Sequence, residues 1–476
     1  MTELEKLIIN SKNHIILGTQ YGDEGKGSIT SKLIYLLSKQ GNRSYLKNGI
    51  NNYRFGGGMQ VGHTTFDGKN YIENHAFPAG VHVILSYPHL NYMVSSVYNG
   101  SSSVYNGSTH INLVFEKNCV ISFEKLYEDL LVYKTKYNFS KIRLNIHEDC
   151  VVSTFLDVYE NRITNILNDH GTTGLGFGKT IERCENNPEL KFTIKDFFSL
   201  SLTKLEFKNI LLKIAKYYRI VIDDEFYDLL EKSYTIYDSI ILDAPFDIKL
   251  FDNYGLTYYG YNIYEGHQGA LLDKDSEDFP HVTRSKTTSR IPFDTIATKF
   301  SNMNLSNDVK NNLQNLCDDP IIYESSSVAY CSTLYSNSFL YHLVTRIYST
   351  RHGNGPFIVD PIKLTNNSNE SNKFNPYQLN FKTSKLNFKD LERGIYYIIR
   401  DLPYNEIFFL GKYKDVLKSK YDEFCKNRKF ILHVTCCDQV DLEYFYDTIS
   451  KISEMSIIKD NNIIIKTHET NNFHVF

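Results

Sequence analysis

The sequence predicts an α/β protein built on one large sheet with helices on both faces, and three observations carry that expectation. A short apolar run, His14-Ile15-Ile16-Leu17, ends in Gly18 and reads as a buried strand. From Ser28 to Gln40 apolar residues recur at Ile29, Leu33, Ile34, Leu36 and Leu37, the spacing of an amphipathic helix. A glycine-rich loop joins the two, and strand, loop and helix in that order open many α/β domains.

Later segments extend the alternation. Ser239–Leu242, Ile407–Leu410 and Phe430–Val434 read as buried strands, and Phe123–Tyr137 and Leu205–Tyr218 as helices. Ser-Ser-Val-Tyr-Asn-Gly stands at 95–100 and again at 102–107. Two copies are too few for a solenoid, and Asn-Gly with serine favours turns, so about 94–117 is expected as a surface insertion. The polar run Asn366 to Lys373 is expected as a mobile loop over about 364–374. The 476 residues are accordingly expected as a single domain, 1–476, with insertions.

Composition narrows the partners. Lys+Arg (52) nearly cancels Asp+Glu (55), leaving a net charge of −3 and no general basic surface for nucleic acid. The eight cysteines form no C-x-x-C pair and read as buried or free thiols in a reducing compartment. The first residues, MTELEKLIINSKNH, carry scattered charges without a long apolar core, so no signal peptide is expected. No apolar run approaches the ~20 residues of a membrane span. A cytoplasmic protein, with neither membrane nor nucleic acid as partner, is the expectation. Abundant tyrosine (36) and phenylalanine (30) without tryptophan read as coding bias rather than a binding signature.

The loop Gly18-Thr-Gln-Tyr-Gly22-Asp23-Glu24-Gly25-Lys26-Gly27-Ser28 is the most informative segment. Closely spaced glycines let backbone N–H groups converge on an anion, and the following helix points its positive end at the same place. Lys26 adds a charge suited to a β- or γ-phosphate. The loop is not a Walker A motif, because Gly27 separates Lys26 from Ser28 and the upstream glycine spacing differs. A carboxylate in a phosphate loop makes chemical sense if Asp23 binds Mg²⁺ or removes a proton from a substrate.

These residues resemble the opening signature of adenylosuccinate synthetases, with Tyr21 where tryptophan is usual. Four further blocks follow in that family's order: Arg54 to Thr64, Gly171 to Gly178, Tyr264 to Asp273 with Phe279-Pro280-His281-Val282-Thr283 behind it, and Ser349 to Phe357. The resemblance implies a large, mostly parallel sheet flanked by helices, a P-loop-NTPase-like ligase fold, usually assembled as a homodimer. It implies phosphoryl transfer to O6 of a purine nucleotide, then displacement of that phosphate by the amine of aspartate. Asp23 matches the family's base and Mg²⁺ ligand, and His63 its acid. Lys26 and Gln268 would hold the transferred phosphoryl group, and the Gly62 carbonyl would face Mg²⁺. Gly22, Asp23, Glu24, Gly25, Lys26, Gly27, Ser28, Gly62, His63 and Thr64 fall in the triphosphate site by the same match. Asp23, Lys26, Gln60, Gly62, His63, Thr173, Gln268 and Thr283 fall in the acceptor-nucleotide site, the two threonines on its phosphate.

Several positions depart from the pattern. Gln60 replaces the usual asparagine, Leu175 stands where many bacterial members have arginine, and the bacterial arginine-rich aspartate loop is missing. Asn375-Pro376-Tyr377-Gln378-Leu379-Asn380-Phe381-Lys382 instead resembles a segment of short archaeal members and of phage-borne relatives that join aspartate to dGMP. Gln378 and Lys382 would then meet aspartate, with lysine in an arginine's place. Val434-Thr435-Cys436-Cys437-Asp438 stands where a base-reading segment belongs, with Asp438 as the acceptor. The expected function is a ligase joining aspartate to IMP with GTP. A dGMP-using variant with ATP and a catalytically silent nucleotide-binding protein are the alternatives.

Overall fold

A computed structural model describes residues 1–40, 46, 49–59, 61–66, 71–87, 111–137, 142–168, 171–198, 202–242, 246–252, 260–290, 292, 339–364, 375–378, 381–401, 429–435 and 440–468. Helix α1 (Glu3–Asn10) is closed by a Thr2/Glu5 capping box and leads into strand β1 (Asn13–Gly18). Helix α2 (Lys26–Gln40) begins two residues earlier than the apolar spacing suggests. The strands that follow are β2 (Ile50–Phe55), β3 (His63–Phe66), β4 (Tyr71–Asn74), β5 (Ile111–Phe115), β6 (Val120–Ile121), β7 (Ile142–His147), β8 (Val151–Val152) and β9 (Phe246–Phe251). After them come β10 (Tyr261–Gly269), β11 (Phe339–Arg346), β12 (Tyr348–His352), β13 (Phe381–Lys385), β14 (Lys429–Thr435) and β15 (Ile464–His468).

Nine of these strands form one sheet in the order β15-β14-β11-β1-β10-β2-β5-β7-β9. Every pairing in it is parallel. The chain runs outward through β2, β5, β7 and β9, then returns through β10 into the gap beside β1. It then lays β11, β14 and β15 on the other side of β1. Loops leaving β1, β10 and β11 therefore meet where the winding reverses, the place at which open α/β sheets bind ligands.

Each face of the sheet has its own core. Ile16, Ile263, Leu340 and Ile431 lie on one face, beneath α2 and the helices Phe123–Lys136 and Asp224–Leu242. Ile15, Leu17, Tyr264 and Leu432 lie on the other, beneath the helices Phe388–Arg400 and Leu442–Glu454. This is the predicted large, mostly parallel sheet with helices on both faces.

A polar row crosses each face. On the second, Asn262 donates to Asn13 (2.9 Å), Asn51 to Asn262 (3.0 Å) and Asn112 to Asn51 (2.9 Å), joining β1, β10, β2 and β5 in register. On the first, His14 Nδ1 meets His342 Nε2 (3.0 Å), His342 Nδ1 meets His433 Nε2 (2.8 Å) and His433 Nδ1 meets His468 Nε2 (2.7 Å). His14 Nε2 lies 3.0 Å from the Ser11 carbonyl, which only accepts. Burial lowers the pKa of all four rings, to about 3 at His14 and His468. Neutral rings in such a row must each donate from Nε2 and accept at Nδ1.

Two expectations change. Ser239–Leu242 is the last turn of the helix Asp224–Leu242, not a strand. Phe226, Leu230, Ser233, Tyr237 and Ile240 are buried at helical spacing, and that periodicity over about four turns outweighs a four-residue apolar run. The apolar stretch after the turn, Phe246–Phe251, is the strand. The end of the expected insertion, Ile111–Phe115, is an interior strand of the sheet, between β2 and β7. Residues 94–110 of that insertion with the duplication, the polar loop after Leu364 and Ile407–Leu410 lie outside the described residues. Cys119, Cys150 and Cys184 are free thiols, and burial pushes Cys119 up to about 12. The other five cysteines lie outside the described residues. Among the described residues no helix is long and apolar enough to cross a membrane.

Asn262→Ala would remove the side-chain donor to the Asn13 oxygen and the acceptor of the buried Asn51 amide. We expect a loss of about 2–4 kcal/mol in unfolding free energy, read from urea midpoints at unchanged m-value.

Candidate active site

The loop after β1 closes on one of its own carboxylates. Glu24 Oε1 accepts from the backbone N–H of Gln20 (2.9 Å) and of Gly22 (3.0 Å). Its Oε2 pairs with Lys26 Nζ at 2.6 Å, and both side chains are 3 % exposed. The converging amides and the lysine expected to meet a phosphate are thus arranged around an internal anion. Thr435, at the end of β14, ties the loop down by donating to the Glu24 carbonyl (2.7 Å). Ser28 donates to the Thr64 carbonyl (3.0 Å), which docks the start of α2 on the β3–β4 hairpin.

Asp23 stands at φ +32°, and its carbonyl accepts from Arg346 Nε at the end of β11. Its Oδ2 lies 3.1 Å from His352 Nε2. Burial alone would raise this carboxyl. The His352 ring with the Arg346 and Lys26 charges outweighs burial and holds it at about 2.

His63 is buried at the start of β3, and its Nδ1 meets Glu265 Oε1 from β10. Glu265 is itself fixed, with Oε2 accepting from Ala79 N–H (2.9 Å) and Asn52 Nδ2 (3.3 Å). Burial would raise Glu265, but His63, Arg54 and the Ala79 amide hold it low, so it is ionised and Nδ1 donates to it. Burial pushes His63 down despite Glu265, and the ring is neutral near pH 7. Its Nε2 is buried with no hydrogen bond among the described residues. Gly27 is needed here: a Cβ on it would stand 2.8 Å from His63 Cβ.

Gln268 reaches along the same loop, its Oε1 beside Gly22. Gly62 lies against the Glu73 carboxylate, which pairs with His75 (3.2 Å). The structure therefore gathers Gly22, Asp23, Glu24, Gly25, Lys26, Gly27, Ser28, Gly62, His63, Thr64 and Gln268 at one rim of the sheet. Thr173 belongs to a second cluster. Its carbonyl accepts from Asn375 (3.2 Å), and Tyr377 accepts from Asn165 (2.7 Å) through its own carbonyl. Gly174, at φ +70°, packs on the Tyr377 ring, where a Cβ would come within 2.7 Å. The glycine-threonine loop and the segment bearing Gln378 are thus one unit. Lys382 lies on β13, opposite Arg351, and donates to the Gly355 carbonyl (3.3 Å). Thr283 donates its N–H to the Leu272 carbonyl (2.9 Å). Gln60 and Asp438 lie outside the described residues.

Three residues of the site carried no role in the sequence reading. Glu265 was detectable as a carboxylate within an otherwise buried strand run. Arg346 and His352 reach Asp23 only through pairing of distant strands.

Among the described residues no cluster of three or more His, Cys, Asp or Glu side chains is arranged to hold a metal. An ionised Asp23 still fits Mg²⁺, which is usually held by one or two carboxylates together with substrate phosphates.

No family model matches the chain. In sequence it is similar to adenylosuccinate synthetases. That of Psychromonas ingrahamii is 26% identical over 288 residues, 58% of this chain and 56% of its own length. That of Thermoplasma volcanium is 28% identical over 300 residues, 59% of this chain and 56% of its own. The chain spans little more than half the length of the curated relatives it matches. The succinoaminodeoxyadenylate synthetase of cyanophage S-2L, solved with dGMP and dATP as an energy donor, aligns with a TM-score of 0.50 at 12% identity. The alignment covers 97% of this chain and 94% of that one. The two share a fold.

Asp23 has a folded pKa below its ordinary 3.8, so its contribution to stability is present above that value and is lost as pH falls toward 2. Between pH 4 and pH 2 the melting temperature of the protein should therefore fall more steeply than that of Asp23→Asn. Parallel thermal melts across that window check the difference.

Proposed function

We propose that the protein is an aspartate ligase of the adenylosuccinate synthetase type, joining L-aspartate to C6 of IMP with hydrolysis of GTP. The observation that carries this reading is that an ionised Asp23 and a carboxylate-fixed His63 both lie within electrostatic reach of Lys26.

Asp23 takes the N1 proton of the purine, which raises the nucleophilicity of O6. A carboxylate at about 2 is a weak base in the free chain, and the phosphates of bound nucleotides raise it toward a useful value. O6 then attacks the γ-phosphorus, and the O–P bond to the nucleoside diphosphate breaks. Lys26 and Gln268 hold the moving phosphoryl group. His63 is neutral until phosphate charge lies against Nε2. That charge raises its pKa, and the protonated ring donates to the developing oxyanion while Glu265 fixes its orientation. Asp23 and the Gly62 carbonyl would hold Mg²⁺, whose chemistry there would be charge neutralisation during the transfer. In the second stage the aspartate amine bonds to C6 and the C6–O bond breaks, and the departing phosphate carries off the proton that the nitrogen loses. Thr173 and Thr283 would hold the acceptor's phosphate, and Gln378 and Lys382 the incoming aspartate. We infer that the working form is a homodimer.

A second reading, with dGMP as acceptor and ATP as donor, is favoured by the aspartate-loop departures, where 375–382 resembles a segment of phage-borne relatives, and by the fold shared with a dGMP-bound synthetase. The retained Asp23 favours IMP.

Purified protein incubated with aspartate, IMP or dGMP, and GTP or ATP tests both. Phosphate release with IMP is expected. Release with dGMP alone replaces the first reading by the second, and none with any combination sinks both. Asp23→Ala should lower turnover by about 10³-fold with the far-ultraviolet circular dichroism unchanged, as expected for loss of a general base. Near-normal turnover in that variant removes Asp23 from the chemistry.

A further inference from the structure

We propose that His352 is a positioning residue, which fixes the Asp23 carboxylate so that one chosen oxygen faces the purine. The inference rests on the ligase reading for its consequence, but the contact itself does not.

Asp23 is held at its main chain and nearly unheld at its side chain. Its carbonyl accepts from Arg346, which ties the backbone of the loop to the end of β11. Among the described residues the carboxylate has one ion-pair partner within 4.0 Å, His352, with Nε2 at 3.1 Å from Oδ2. The other oxygen, Oδ1, is the one left for a ligand.

His352 is placed for this from the opposite side. It is the last residue of β12, paired with Phe381 of β13, and its ring packs on the Phe381 ring with centroids 4.7 Å apart. Only 9 % of its side chain is exposed. Both ring nitrogens are buried, and neither makes a well-directed hydrogen bond among the described residues. A buried imidazole with both nitrogens in that state costs free energy, and such groups in folded proteins tend to mark a function. The polar group within reach is Asp23. A small rotation of its carboxylate would bring the 3.1 Å contact into line, as catalytic contacts often tighten when a substrate binds.

The consequence is geometric. A carboxylate free to rotate about its last bond spends much of its time with neither lone pair aimed at N1. Fixing Oδ2 through Nε2–H removes that freedom, and misplacement of a reacting group by about 1 Å costs up to ~10²-fold in rate. The same β12–β13 pair carries Lys382, so the residue aiming the base and the lysine proposed for aspartate share one rigid element.

The test compares the full chain with H352A and H352Q, whose amide keeps an N–H donor. H352A should lower kcat by about 10- to 100-fold while changing the KM for the acceptor nucleotide by less than about 3-fold. H352Q should recover most of the loss. Unchanged kcat in H352A, or equal losses in the two variants, overturns the proposal, as does a change confined to KM. Crystal structures of both variants decide the matter without turnover. Asp23 rotated in H352A and restored in H352Q supports it, and an unmoved carboxylate in H352A overturns it. If the unaltered chain shows no ligase activity, the ligase reading falls, and the crystal comparison still judges the contact. If H352A fails to fold, H352Q and H352F carry the same comparison, with H352F expected to lose the alignment.

Discussion

The register of β1 between β10 and β11 is the constraint from which the rest of the molecule follows. An all-parallel sheet with both faces covered is made of strands that are apolar almost throughout. Apolar contacts alone discriminate poorly between registers two residues apart, because such a slip keeps every side chain on its own face. Amide and imidazole rows discriminate sharply, since a slipped register leaves buried polar groups unmet. The asparagine row locks β1 to β10, β2 and β5 on one face, and the histidine row locks β1 to β11, β14 and β15 on the other. With β1 held from both faces, Gly18, Glu265, Arg346 and Thr435 arrive at the same rim. The site is assembled from those strand ends.

At that rim two adjacent carboxylates have different tasks because their surroundings differ. Glu24 turns inward, takes two loop amides and the Lys26 ammonium, and organises the loop. Asp23 turns toward His352 with its backbone carbonyl held by Arg346. A phosphate that engages Lys26 must share it with Glu24 or displace it, so anion binding and loop conformation are coupled. His63 belongs to the same economy of charge. It is neutral beside Arg54 and Lys26, and on the proposed mechanism it gains its proton only with the nucleotide's negative charge.

Local structure was legible in the sequence, and long-range geometry was not. The strand–loop–helix opening could be read because its apolar spacing and its glycines lie within one short window. The roles of Glu265 and His352 were hidden because each depends on a partner more than 200 residues away. The asparagine row was invisible for the same reason: Asn13, Asn51, Asn112 and Asn262 look like unrelated polar residues until four strands stand side by side. The misreading of Ser239–Leu242 has another cause. A four-residue apolar run carries no period of its own, and only the turns of helix before it decide its state.

The aspartate end of the proposed site turns on a substitution whose surroundings are visible. Arg351, paired with Lys382 across β12 and β13, is spent on structure. It donates to Asp278 (3.2 Å), to the Pro356 carbonyl (2.8 Å) and to the His281 carbonyl (2.9 Å), and it stacks over Tyr21. A guanidinium so engaged has little left for a second carboxylate. Lys382 beside it is a point charge, lowered by burial and by Arg351, and it lacks the planar fork that recognises a carboxylate by geometry. On the ligase reading, discrimination for aspartate must then come from neutral donors and acceptors placed by the fold. Gln378 is one such group: its Oε1 is buried without a hydrogen bond among the described residues, in a segment bonded to the loop that carries Thr173. An amide held there reads an amine or a carboxylate by direction rather than by charge. Acceptor nucleotide and aspartate would then be selected by two halves of one hydrogen-bonded unit.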